Sequence, residues 1–365
     1  MKIYKFITQI SIAGCMLVGT PMLQGCMDNS LNDPLGKVSE EELGRDGFAA
    51  NAFFLTLCDY AYPIATENIY NTNESLIGDC YGRYQVMATD KFKGANFATY
   101  NAPENWLNWQ FADDNVMVLT YGAWNKIKNV TQGTGVNFAW AQILRIATMH
   151  RMLDMYGALP YSQISSDKLS APYDTMEEAY HAMFTDLTDA INVMTVYVTE
   201  NPNNRTMAKY DKVYDGDFEK WVKFANSLKL RMAIRIRFAD REYARQMAEE
   251  AINHSIGVIT SNEDNATSLG TKNQLYTVLV QWPDQCVSAD ITSYMKGYND
   301  PRMSKYFKKK TSDKGDDDYV GMRAGLSYGN DITGPTFSRI NVGEMDRTLW
   351  MSAAETALIK LKRQC

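Results

Sequence analysis

Apolar residues recur at intervals of three and four along several stretches of the chain, the period that brings side chains onto one face of an α-helix. Residues 138–156 place Trp140, Ile143, Ala147 and Leu153 on such a stripe, and Gly157 and Pro160 supply its stop. A further helical pattern covers 116–130. Thr175 and Glu178 form a capping box ahead of the stripe Ala179, Met183, Leu187, Ile191 and Met194. Asp217 can cap a helix carrying Trp221, Phe224, Leu228, Met232 and Ile236. Asp240 can cap another with Ala244, Met247, Ala248, Ala251 and Ile252, ended by Gly257. Near the start, Ser39 and Glu42 make a second capping box for a helix reaching about Cys58. Helices joined by modest loops pack antiparallel to their neighbours, so the pattern predicts a mainly α fold.

Between these stretches the period lapses. Residues 60–114 hold Pro63, Gly78, Gly82, Gly94 and Pro103 among many Tyr, Asn and Trp, and read as irregular. Residues 259–290 read the same way, and 311–343 are rich in Gly and Asp. Short helices are expected at 291–296 and 301–308, and a last one at 347–363. Loops of this length in a folded domain usually carry function. No strict internal repeat is visible.

The first 25 residues change the picture at the N-terminus. Lys2 and Lys5 precede a mostly apolar run over 6–23 with no acidic residue, which is the outline of a signal peptide. The run ends in Leu23-Gln24-Gly25-Cys26, which resembles the lipobox at which a bacterial lipoprotein is cleaved and its cysteine acylated. Gln24 departs from that pattern. Ile12-Ala13-Gly14-Cys15 fits it better, but cleavage there would leave the apolar residues 16–23 on the mature chain, so Cys26 is the expected lipidation site. The competing reading makes Cys26 an ordinary or disulfide-bonded cysteine. Residues 26–38, polar with Pro34 and Gly36, would be a tether, and 39–365 a single helical domain.

Composition mostly excludes. Glycine (23) and proline (10) are together about nine per cent of the 365 residues, below the usual share of roughly twelve, which favours helix over turn-rich β structure. A net charge of −6 with no basic stripe argues against nucleic acid. Three histidines and six cysteines without a C-x-x-C pair give zinc or dithiol redox chemistry little to build on, and no cofactor is implied. No nucleophile elbow, P-loop or H-E-x-x-H occurs. Asp313 and Asp316, Asp317 and Asp318 lack EF-hand spacing and read as a solvated acidic loop. Asp211, Asp215 and Asp217 read as turn and cap residues.

The aromatic residues are more informative: 7 Trp, 22 Tyr and 14 Phe. Tyr81, Arg83, Tyr84, Tyr100, Trp106 and Trp109 fall between helical regions, with Asn101 and Asn108 beside them, and form the candidate ligand face. Flat rings stack on apolar faces while guanidinium and amide groups donate directional hydrogen bonds, a combination suited to a sugar or peptide. For any single ring, filling a loop-built core is the competing reading. Trp124, Trp140 and Trp221 sit at helical spacings and belong to the core. The stretch 276–298 is the next candidate for a site.

Four landmarks in order carry a family resemblance. Residues 145–164 contain Tyr156-Gly157-Ala158-Leu159-Pro160-Tyr161; residues 221–236 contain Lys223-Phe224-Ala225-Asn226-Ser227-Leu228-Lys229-Leu230-Arg231. Asp300-Pro301-Arg302 with Tyr306-Phe307 follows, then Tyr319-Val320-Gly321, and Ser352 opens a further helix of similar type. Together they resemble SusD/RagB-type nutrient-binding outer-membrane lipoproteins of Bacteroidetes. The resemblance implies a scaffold of degenerate tetratricopeptide-like helix pairs with long irregular ligand-binding loops. It also implies a lipid-anchored, surface-exposed protein of the outer membrane that captures glycans or peptides for a SusC-like TonB-dependent transporter, without catalysis. Family members usually continue well beyond the position of Cys365, so their last helices are expected to be missing here and the end of the chain to be less stable. The rival functions are a secreted glycoside hydrolase using paired carboxylates and a purely structural helical adaptor.

Overall fold

The computed structural model describes residues 48–62, 66–89, 91–92, 97–111, 116–164, 170–268, 270–310, 318–326 and 336–362. The signal peptide, Cys26, the tether, the capping box at Ser39 and, of the acidic loop, Asp313, Asp316 and Asp317 lie outside them. Nearly all the described residues belong to one unit, Ala50–Cys365.

Helix α1 (Phe48–Ala61) comes first, followed by the single turn α2 (Glu67–Tyr70) and by α3 (Glu104–Phe111). The scaffold is then built by α4 (Val116–Thr131), α5 (Gly135–Tyr156), α6 (Met176–Glu200), α7 (Phe218–Ile236) and α8 (Arg241–Asn253), each packed on the next. Their predicted stripes are the buried faces. The capping box forms as expected: Thr175 Oγ1 accepts from the Glu178 N–H at 3.2 Å, and Glu178 Oε2 accepts from the Thr175 N–H at 2.8 Å. Asp217 and Asp240 cap α7 and α8 through the N–H groups of Lys220 and Tyr243.

Helix α5 is buried on all sides over most of its length, polar residues included. Most of those polar groups find partners, although the Trp140 indole N–H and the Arg145 Nε have none among the described residues. Arg145 pairs with Asp186 at 2.9 Å while its guanidinium lies over Trp124 and Tyr161, and Thr148 Oγ1 donates to the Leu144 carbonyl. Trp140 stacks on Phe54 at 4.3 Å and meets Trp221, which tie α1, α5 and α7 into the main core.

Three expectations change. The stretch 60–114 is not irregular: it holds α2, a nine-residue π-helix (Asn71–Asp79) and α3. No stripe announced the π-helix because Asn71, Thr72, Asn73 and Ser75 are buried alongside Leu76 and Ile77, so burial does not separate polar from apolar positions. Likewise 259–290 contains the short α9 (Gln274–Tyr276), a second π-helix (Thr277–Gln281) and two short strands. The helices expected at 301–308 and 347–363 are each part strand. Helix α10 (Ala289–Gly297) precedes α11 (Met303–Tyr306), and α12 (Ala353–Lys362) ends the described chain and packs on α7.

The strands form three two-stranded antiparallel ladders. β1 (Gln85–Met87), β2 (Ala266–Thr267), β3 (Gln285–Val287), β4 (Phe307–Lys308), β5 (Arg339–Ile340) and β6 (Leu349–Met351) pair as β1 with β3, β2 with β6 and β4 with β5. Among the described residues no helix is long and apolar enough to cross a membrane.

Candidate ligand-binding cleft

The β1–β3 ladder, with Val86 opposite Cys286, brings two distant loops together. One step beyond it the Tyr84 carbonyl accepts the Ser288 N–H at 3.0 Å, which sets the turn 81–84 beside the start of α10. Ser288 caps that helix, its Oγ accepting from the Asp290 N–H at 3.1 Å. A third segment joins from the other side. The Val287 carbonyl accepts from Met322 N–H at 2.8 Å and the Met322 carbonyl from Ala289 N–H at 2.7 Å. Gly321 makes that approach possible, because a Cβ there would collide with the Ser288 carbonyl and the Thr292 hydroxyl.

The junction leaves an open cleft of about 800 Å³ lined by Arg83, Asp290, Ser293, Tyr294, Tyr298 and Arg323. The α10 contributions lie at helical spacing, opposite its buried Thr292 and Met295. Tyr294 and Tyr298 are 69% and 73% exposed with ring centroids 4.9 Å apart, an aromatic pair turned to water rather than to a core. A depression of about 780 Å³ along α8 is instead the acidic outer face of that amphipathic helix, with Glu242, Glu249 and Glu250 in its lining.

Beside the cleft, the predicted aromatic residues sort into layers. Tyr81 and Tyr100 stack at 5.7 Å and are both exposed. The Tyr81 edge meets buried Phe97, which in turn stacks on Trp106 at 5.9 Å. Trp106 is therefore half-buried in the second core cluster, with Phe92 edge-on against it, and supports the exposed pair from beneath. Tyr84 is exposed, its ring lying over the Gly82 backbone. Trp109 belongs to α3, but its side chain lies outside the described residues. Burial and the neighbouring Tyr100 push the Tyr81 hydroxyl above its ordinary range, so it remains a neutral hydrogen-bonding group at physiological pH.

Arg83 and Tyr100 both adopt φ of 60°, a left-handed conformation that L-residues other than Gly, Asn and Asp rarely take. Such strain gathers at functional sites. Of the six predicted residues the structure places Arg83 in the cleft lining, with Asp290, Tyr294, Tyr298 and Arg323, whereas Tyr81 and Tyr100 stack on each other outside that lining and Tyr84 is not part of it. Tyr294 and Tyr298 fall in the stretch 276–298 already marked by its composition; Arg323 carried no sequence signal, since only the contact of Met322 with β3 places it here.

A family model described as SusD-like, SusD and RagB outer membrane lipoprotein, matches residues 30–362. No match is found among curated proteins. Among solved structures, a SusD homolog from Bacteroides uniformis is 35% identical with a TM-score of 0.78, covering 86% of this chain and 65% of its own. A SusD homolog from Bacteroides thetaiotaomicron is 32% identical with a TM-score of 0.76, covering 85% and 63%. A chitin-binding SusD homolog from Flavobacterium johnsoniae is 31% identical with a TM-score of 0.75, covering 85% and 64%. The chain therefore spans just under two thirds of the length of these relatives. Together, the ordered landmarks, the mainly helical scaffold and the match across the described domain establish that the chain belongs to the SusD-like family.

Proposed function

We propose that this chain is a surface lipoprotein that captures oligosaccharides in the cleft between the turn 81–84, α10 and the segment around Arg323, and hands them to a SusC-like TonB-dependent transporter. The observation that carries the reading is the aromatic pair Tyr294 and Tyr298, exposed on the wall of the cleft, with a second exposed pair, Tyr81 and Tyr100, stacked beside the turn that supplies Arg83. Rings held open to water offer flat apolar faces to the C–H face of a sugar, while nearby guanidiniums and hydroxyls supply hydrogen bonds. The chitin-binding relative supports a glycan over a peptide.

Capture without bond cleavage is supported by the lining: among the described residues Asp290 is its one carboxylate, whereas glycoside hydrolysis uses two, about 5 to 9.5 Å apart. Anchoring rests on Cys26, and a mature N-terminus other than acylated Cys26 in the mass spectrum of membrane-extracted protein would remove that part of the reading.

Calorimetric titration with chito-, malto- and peptide oligomers tests the capture reading. Tyr294→Ala and Tyr100→Ala should each weaken glycan binding by about thirtyfold, the scale of a hot-spot loss near 2 kcal/mol, without lowering Tm, because both rings are exposed. Peptides bound in preference to every glycan would replace the ligand class, and new reducing ends appearing in the mixture would replace capture with hydrolysis.

A further inference from the structure

Two arginines line the cleft and neither forms an ion pair among the described residues. Arg83 is half-buried and Arg323 exposed, and neither side chain makes a hydrogen bond among those residues. Several arginines outside the cleft are matched, Arg145 with Asp186, Arg231 with Glu355 and Arg235 with Asp154, while others on the open surface, Arg241 and Arg347, form no ion pair among the described residues; what sets Arg83 and Arg323 apart is that they share one cleft. The one carboxylate in the lining, Asp290, is engaged by the Ser288 hydroxyl at 2.9 Å. Lys296, also on α10, is paired with Asp318 at 2.6 Å. The lining therefore holds two positive groups against one negative, in a chain whose formal charge is −6.

A guanidinium on a cleft wall loses part of its hydration when a ligand covers it, and an uncharged sugar returns only hydroxyl acceptors. A carboxylate or sulfate returns a full charge and two oxygens that match the planar fork of the arginine. The backbone of Arg83 is also held in its left-handed conformation at an energetic cost, at the point where the side chain joins the lining.

We propose that the cleft selects acidic oligosaccharides, with Arg83 and Arg323 gripping a carboxylate or sulfate while Tyr294 and Tyr298 stack on a sugar ring. This rests on the reading of the cleft as a glycan site. The test uses the full chain and two pairs of ligands that share a backbone and differ chiefly in charge: a galacturonate hexamer with its fully methyl-esterified form, and sulfated with unsulfated maltohexaose. In at least one pair the acidic member should bind about tenfold or more tightly, as a charge-assisted hydrogen bond permits. That gap should shrink as salt rises to about 0.3 M. The pair that shows the gap identifies carboxylate or sulfate as the preferred group.

Arg323→Gln should bring the ratio to within about twofold, since one charged contact is lost. Arg323→Lys should restore part of it. Arg245→Gln, a charge-matched change on α8 remote from the lining, should leave it intact. Arg323 is exposed, so an unchanged Tm is expected and confirms that the fold is retained. Uncharged members bound as tightly as their acidic twins would overturn acid selection while leaving glycan capture standing. Binding by no member of either pair would overturn acid selection, and the chito-oligomer titration would then decide glycan capture separately. A gap preserved in Arg323→Gln and Arg83→Gln alike would overturn the assignment to these arginines.

Discussion

Asp79 ends the first π-helix, and burial pushes its carboxyl up to about 7. The folded chain therefore holds a proton there that the unfolded chain releases near pH 4, so this group costs stability progressively as pH rises from about 4 through 7. His150 works in the opposite direction. Burial, with Arg231 nearby, pushes its imidazole down to about 4, and its Nδ1 lies 2.9 Å from the Ile146 carbonyl. Its contribution is present above the ordinary histidine range and is lost as pH falls from about 6.5 through 4. The two slopes oppose each other below pH 6.5, and above it only that of Asp79 remains. Asp79→Asn should raise Tm relative to the parent at pH 8, by an amount on the order of 2–4 kcal/mol in stability, with the advantage vanishing by pH 4. Parallel melting curves for the two proteins across that range would show that Asp79 is solvated in the fold. At this scale the sequence was readable where a residue's role is local. Thr175, Asp217 and Asp240 cap helices because their partners lie three positions on. Trp106 was not readable, because the rings that cover it, Phe92 and Phe97, are brought to it by the fold.

Helix α10 shows how one short element serves two surfaces. Thr292 and Met295 face inward, while Ser293, Tyr294, Gly297 and Tyr298 face the cleft. What fixes its position is the backbone junction with β3 and the segment through Met322, and Gly321 is the residue that admits the close approach. Gly321→Ala should separate that segment from α10, lowering stability by about 2 kcal/mol, as overpacking against backbone does. Because Arg323 follows directly, ligand binding should weaken as well. Unchanged Tm and affinity would mean that the junction relaxes without cost. Helices α4, α6 and α8 were legible from their period because one face of each is wet, whereas α5, buried on nearly all sides, was read from its apolar spacing and its Gly157 and Pro160 stop. The π-helices were not legible, since Asn71, Thr72, Asn73 and Ser75 are buried with their apolar neighbours, and the polarity pattern that marks a helix face disappears.

Across the whole molecule Arg231 ties together segments far apart in sequence. From α7 its guanidinium donates to both Glu355 carboxylate oxygens at 2.7 and 2.8 Å, to the Tyr62 hydroxyl at 2.7 Å and to the Trp350 carbonyl at 3.2 Å. Trp350 in turn stacks on Tyr62 and packs against Trp221. One side chain thus joins the end of α1, the β6–α12 segment and the scaffold. Arg231→Met should destabilise the protein by about 3 kcal/mol, chiefly by leaving Glu355 uncompensated, and adding Glu355→Met should recover much of that loss. Additive losses in urea melts of the double variant would assign the stability to packing of the arginine stem instead.

The sequence by itself determined the mainly helical class, the order and caps of the scaffold helices, the family and the aromatic-rich stretches proposed as the ligand face. These properties depend on neighbours within a turn or two, or on local patterns that need no knowledge of the fold. Only the tertiary structure decided which aromatic residues are exposed, that α10 faces the turn 81–84, and that Arg83 and Arg323 line one cleft. Those outcomes depend on pairings such as Val86 with Cys286 and Ser288 with Met322. The strand and bridge pairings involved are too short to leave an alternation in the sequence, and the burial they create falls on polar and apolar residues alike.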